Sequence, residues 1–119
     1  NMKFKICFDL DNTICTTIKN CYSKSKPKKK IIKLINNLNP KKYEVIIFTS
    51  RFMGRSKENA KKAKSLGYTF TKSQLSSWGL RYDKLLLGKP SYDKFFDDKS
   101  INFSQKSLVE FLKKKTKNI

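Results

Sequence analysis

Residues 3–10 alternate between polar and apolar positions and then turn apolar through Ile6, Cys7 and Phe8, the pattern of a strand buried in a parallel sheet. Residues 13–26 show no clean period, and Pro27 closes them. From Pro27 a helical pattern begins, with Ile31, Ile32, Leu34, Ile35 and Leu38 on one face and lysines opposite, and Asn39-Pro40 ends it. The run EVIIFTS, residues 44–50, is rich in β-branched residues and reads as a second strand. After the loop RFMGR, with Gly54 as a flexible point, Ser56 is placed to cap a helix that Gly67 ends. Residues 71–80 read as another short helix, capped by Thr71 or Ser73 and stopped by Gly79. Residues 85–87 and 94–96 are predicted as third and fourth strands. Ser104 caps a last helix whose apolar face is Leu108, Val109, Phe111 and Leu112.

Strands that alternate with helices imply crossover connections, so the expected fold is α/β: a three-layer, Rossmann-like parallel sheet with helices on both faces. A length of 119 residues with 38% hydrophobic composition supports one domain over 1–119 and one modest core. No window approaches a membrane span and no export signal opens the chain, which predicts a cytoplasmic protein without a membrane partner. Cys7, Cys15 and Cys21 are odd in number and lack CxxC spacing, which fits a reducing compartment.

The chain contains no histidine, which removes Ser-His-Asp triads, histidine zinc sites and a histidine base for a cysteine nucleophile. Catalysis would have to run on carboxylates, lysines, hydroxyls or an oxygen-bound metal. The formal charge of +19 invites a polyanionic partner, yet it is carried mostly by lysine, with only Arg51, Arg55 and Arg81 offering guanidinium forks. A solvated lysine surface is therefore favoured over nucleic-acid binding, with the basic runs SKSKPKKK and KKKTK as exceptions to watch.

The polar residues gather where an open α/β sheet binds ligands, beyond the carboxyl ends of its strands. Asp9 and Asp11 follow the first strand, Thr49 and Ser50 end the second, Lys89 follows the third, and Asp97 with Asp98 ends the predicted fourth. Carboxylates clustered in this way repel one another and ask for a hard cation, Mg²⁺, whose shell a substrate phosphate would complete. Lys89 and the Thr49 hydroxyl would hold the other phosphate oxygens, leaving one aspartate free to attack phosphorus.

FDLDNT resembles the DxDxT signature of the haloacid dehalogenase superfamily, and IIFTSR, GKPSYD and FFDDKS follow in that family's order. YSKSKP, RFMGR, QLSSWG and the stretch around GKPSYDKFFDD are similar to a capless branch of capsule or polysaccharide biosynthesis phosphatases. The resemblance implies a phosphatase with no large cap domain and with residues 13–26 as its flap. It implies Asp9 as the nucleophile that forms an aspartyl-phosphate and Asp11 as the general acid and base. Phosphate would be held by Thr49, Ser50 and Lys89, and Mg²⁺ by Asp9, Asp11, Asp97 and Asp98. Asn12, Thr13, Arg51 and Arg55 would brace the site or touch substrate, and Arg51 and Arg55 divide evenly between substrate contact and loop solvation. Trp78, Tyr82 and Tyr92 are expected in packing rather than in substrate stacking, and Cys15 and Cys21 as incidental lining.

The expected substrate is a small phosphorylated metabolite such as a sugar phosphate, with specificity left to the flap and to a partner subunit if the chain forms a homo-oligomer. A nucleic-acid end phosphatase is the alternative that the charge suggests. A receiver-like, non-catalytic phosphate-binding module is the other, disfavoured because a receiver carries its acidic pair on the first strand and here that pair comes last.

Overall fold

The computed structural model describes residues 2–101 and 103–116; Lys117, the last residue of the KKKTK run, lies outside them. The first strand, β1 (Phe4–Phe8), is short because its apolar residues end at the carboxylate of Asp9. After it comes a small antiparallel hairpin of β2 (Cys15–Thr16) and β3 (Lys26–Pro27), the ladder of the expected flap. Pro27 therefore belongs to a strand, and helix α1 (Lys29–Asn36) starts two residues after the predicted start. β4 (Tyr43–Thr49) and β5 (Lys84–Leu87) lie in parallel with β1 in the order β1-β4-β5. Ile6 pairs with Val45, Phe8 with Ile47, and Ile47 with Leu85, so one face of the sheet is a continuous apolar band.

All three helices contribute to the core on that band. Ile31, Ile32 and Ile35 of α1, Leu75 of α2 (Ala60–Ser77) and Leu112 of α3 (Gln105–Thr116) join Ile6, Phe8, Val45, Ile47 and Leu85 in one buried cluster. Trp78 and Tyr82 pack against it, as expected. Ser104 does cap α3, its hydroxyl accepting the Ser107 N–H at 3.0 Å.

The structure corrects the reading in three further places. The two helices predicted on either side of Gly67 are one helix, α2, capped by Asn59 rather than Ser56: the Asn59 side chain accepts the Lys62 N–H at 3.0 Å. Gly67 does not stop the helix but notches it. A Cβ there would lie 2.2 Å from Cδ2 of Phe52, so only glycine admits that ring. The second correction concerns the fourth strand, since residues 94–96 pair with nothing in the described sheet and residues 90–101 are exposed throughout. Third, the helices do not cover both faces. On the second face Lys5, Cys7, Lys84 and Leu86 are exposed and Ile46 and Phe48 only half-buried, because without a fourth strand nothing carries the chain across it.

Candidate functional site

Asp9, Thr49 and Lys89 do converge at the carboxyl ends of the three parallel strands. Asp9 directly follows β1, Thr49 is the last residue of β4, and Lys89 lies two residues past β5. The approach of Lys89 depends on Gly88, which has φ +97° and lies so close to Ala60 that a Cβ would sit 2.9 Å from the Ala60 Cβ. Lys89 is further tied to the sheet by its N–H, which donates to the Thr49 carbonyl at 3.2 Å. Its ammonium donates to Oδ1 of Asp9 at 3.2 Å, while the Thr13 hydroxyl donates to Oδ2 at 3.2 Å. Tyr92 and Phe95 flank the ammonium, their ring centroids 5.2 and 5.8 Å from it. Burial opposes charge on Lys89, but the Tyr92 hydroxyl and the Asp9 carboxylate outweigh it and raise the ammonium above its ordinary value.

Thr49 is fully buried, and its hydroxyl oxygen accepts the Arg51 N–H at 3.1 Å. Among the described residues that hydroxyl donates to nothing. Ser50 is half-buried beside it. Asn12 sits at φ 64°, a left-handed position that asparagine tolerates, and its side chain accepts the Thr17 N–H at 3.1 Å. The turn bends the chain so that Asp9 and Asp11 look into different surroundings.

Asp11 is gripped by Arg51. Nε donates to Oδ2 at 2.9 Å and Nη2 to Oδ1 at 2.9 Å, a bidentate fork on a guanidinium with no exposed surface. The Thr17 hydroxyl donates to the same Oδ1 at 2.5 Å, and the Cys15 thiol reaches it at 3.5 Å. Burial pushes the Cys15 thiol above its ordinary value, which keeps it a protonated donor and fits the expected incidental lining. Arg51 is thus not a solvated loop residue: its charge is buried and answered by Asp11. Arg55 is exposed, lying over the Tyr22 and Phe52 rings at 5.0 and 4.9 Å and donating to the Asn20 carbonyl at 2.8 Å.

The acidic pair does not join this constellation. Asp97 is exposed and accepts the Lys99 N–H at 3.1 Å, while Ser100 donates to its carbonyl, closing a turn; Asp98 is exposed beside it. Their absence from the site follows from the missing fourth strand, which would have carried them to the sheet's carboxyl edge. Asp9 is paired with Lys89 and Asp11 with Arg51, and among the described residues no group of three or more acidic or cysteine side chains is placed to hold a metal ion. As arranged, the residues do not fit the Mg²⁺ that the resemblance calls for.

Sequence reasoning missed Thr17, Tyr22, Ser25 and Gln74. Arg51 Nη1 donates to Oε1 of Gln74 at 2.7 Å, and Nε2 of Gln74 donates to the Tyr22 carbonyl at 2.7 Å. Ser25 shares a 2.6 Å hydrogen bond with Thr17 and accepts one from Arg51 Nη2 at 3.3 Å. Signals were available: YSKSKP holds Tyr22 and Ser25, and QLSSWG holds Gln74, which also adjoins Leu75 on the stripe Ala63, Gly67, Thr71, Leu75 that α2 buries.

No family model and no curated protein matches the chain. Among solved structures, the crystal structure of a structural-genomics target from Vibrio cholerae superposes with a TM-score of 0.74 at 24% identity, over 95% of this chain and 98% of that one. A likeness at that identity speaks for architecture alone, and what it shows is an α/β chain with a parallel three-stranded sheet, consistent with a Rossmann-like fold.

Proposed function

We propose that the protein is a phosphomonoesterase of the capless haloacid dehalogenase type, acting on a small phosphorylated metabolite through an aspartyl-phosphate at Asp9. The observation that carries this reading is the Asp9 carboxylate at the carboxyl end of β1, 3.2 Å from the Lys89 ammonium, with Thr49 ending the neighbouring strand β4. It is a carboxylate paired with a cation at the sheet edge where α/β proteins bind ligands.

On this reading Lys89 and Thr49 take the oxygens of the transferring phosphoryl group, and an oxygen of Asp9 attacks phosphorus as the ester P–O bond breaks. The leaving alkoxide takes its proton from Asp11, which enters the cycle in its protonated form with the proton on Oδ2, the oxygen that only Nε of Arg51 reaches, and departs as the alcohol. Asp11 then takes a proton from water, whose oxygen attacks the phosphorus of the acyl-phosphate, releasing inorganic phosphate and restoring Asp9. Lysines 19, 24 and 26 on the flap suit an anionic substrate.

The test is turnover of a panel of phosphorylated metabolites and a generic aryl phosphate, with Mg²⁺ and with chelator, by the wild type and by Asp9→Asn. Turnover by the wild type with hydroxylamine-trappable phosphoenzyme, both lost in Asp9→Asn, is the expected result. Substantial activity in Asp9→Asn would remove the nucleophile and with it the reading.

A further inference from the structure

We propose that Arg51 is a positioning residue that fixes the carboxylate of Asp11 and makes its orientation depend on how the flap is seated. The inference rests on the phosphatase reading, in which Asp11 moves the proton.

Arg51 has no exposed side-chain surface, and each guanidinium nitrogen is committed to protein: Nε and Nη2 to Asp11, Nη1 to Gln74, Nη2 also to Ser25 and, at 3.9 Å, to the Cys15 sulfur. The Tyr22 ring closes over the group, 4.8 Å from Cζ. Burying such a pair is a poor way to gain stability, because desolvation offsets the attraction and apolar replacements often do as well. What the fork does supply is geometry, since two parallel N–H donors fix both the plane and the direction of a carboxylate, as a lysine cannot. Asp11 needs that direction. Its side chain is 21% exposed, which leaves one aspect open for proton exchange, and proton transfer demands alignment within about 2.6–3.2 Å of the leaving oxygen.

The dependence on the flap follows from who else holds Arg51. Tyr22 and Ser25 lie between β2 and β3, in the flap itself, and Gln74 on α2 is anchored to the Tyr22 carbonyl. Lifting the flap would take away the ring, the Ser25 acceptor and the anchor of Gln74 together, leaving the fork supported from below only. Seating of the flap and alignment of Asp11 are therefore one event.

The experiment compares Arg51→Lys, Gln74→Leu and Asp11→Asn with wild type, measuring kcat and KM for an aryl and an alkyl phosphate alongside thermal melts. Loss of proton transfer costs about 10²- to 10⁴-fold and falls on poor leaving groups, so Asp11→Asn should impair the alkyl ester far more than the aryl one. Arg51→Lys should reproduce that selectivity, losing at least about tenfold more kcat on the alkyl ester with KM little changed, because a misplacement near 1 Å can cost up to about 10²-fold. Gln74→Leu should shift the ratio in the same direction by less. An unchanged alkyl-to-aryl ratio in Arg51→Lys while Asp11→Asn is selective overturns the positioning role and spares the phosphatase. A non-selective Asp11→Asn overturns the acid role of Asp11 and the positioning role with it, and leaves the phosphatase reading to the Asp9→Asn test. If Arg51→Lys melts below the assay temperature, Gln74→Leu decides, since it leaves the fork on Asp11 in place and removes the hydrogen-bonded link through Gln74 to the flap while the Tyr22 ring and Ser25 stay in contact; an unchanged ratio there overturns the dependence on the flap.

Discussion

Gly67→Ala should destabilise the protein, against the usual sign for a glycine inside a helix. In a free helix the change stabilises by about 0.8–1.0 kcal/mol. Here the new Cβ would lie 2.2 Å from Cδ2 and 2.5 Å from Cε2 of Phe52, well inside van der Waals contact. The ring has little room to retreat, with Tyr22 at 5.0 Å and Phe70 at 6.3 Å between centroids, the Arg55 guanidinium 4.9 Å away, and a backbone held at φ 69°. Overpacking of this kind costs about 1–3 kcal/mol. Set against the propensity gain, the net loss is up to about 2 kcal/mol, or a fall in Tm of up to about 8 °C for a domain of this size. Urea denaturation measures it as a lower midpoint at constant slope. In a Phe52→Ala background the same change should become stabilising by about 1 kcal/mol, because the clash is gone and the propensity remains. Because Phe52 follows Arg51 directly, the single variant should also lose activity on alkyl esters. A Gly67→Ala protein more stable than wild type by the full helix propensity would refute the packing argument.

Thr71→Val should stabilise by about 1 kcal/mol in the same denaturation assay, since Thr71 is fully buried and its hydroxyl has no partner among the described residues. Asn59→Ala should cost about 1 kcal/mol by removing the cap of α2. Lys89→Met should abolish turnover and also change the alkaline limb of stability. The lysine is raised above 10.5, so its contribution is complete below 10.5 and disappears as pH rises through its higher folded value. The Tm gap between wild type and Lys89→Met should hold from neutral pH to about 10 and narrow above it; a gap independent of alkaline pH would contradict the pairing with Tyr92 and Asp9.

The three parallel strands were legible because each is an apolar run of the right length, and the placement of Asp9, Thr49 and Lys89 at their ends followed from topology alone. The helix break at Gly67 was misread for a physical reason. Glycine ends helices where it supplies a left-handed residue, as Gly79 does here at φ 71°, but it also sits inside them where another side chain needs its missing Cβ. Sequence distinguishes these only if the distant ring is known. The fourth strand failed differently. Lys94, Phe95 and Phe96 are too few to pair without a neighbour, and nothing in the described sheet takes them up, so the apolar run stays exposed and Asp97 and Asp98 stay with it.

The two carboxylates that close β1 also show what spacing cannot express. Asp9 and Asp11 stand one residue apart and look alike in sequence, yet their environments separate them. Asp9 has a side chain 38% exposed and is met by an ammonium and a hydroxyl at single points, so either partner can turn to an incoming phosphate without unmaking the loop. Asp11 is met by a fork arriving from forty residues away, with a buried guanidinium that has nowhere else to place its charge. A nucleophile must be free to change its partners during the reaction, and an acid-base group must keep its direction while protons come and go. On the proposed reading the division of labour between the aspartates is set by what holds each one, and the element that sets it for Asp11, Arg51, lies on the loop after β4, where the sequence offered a candidate brace but not the aspartate it would hold.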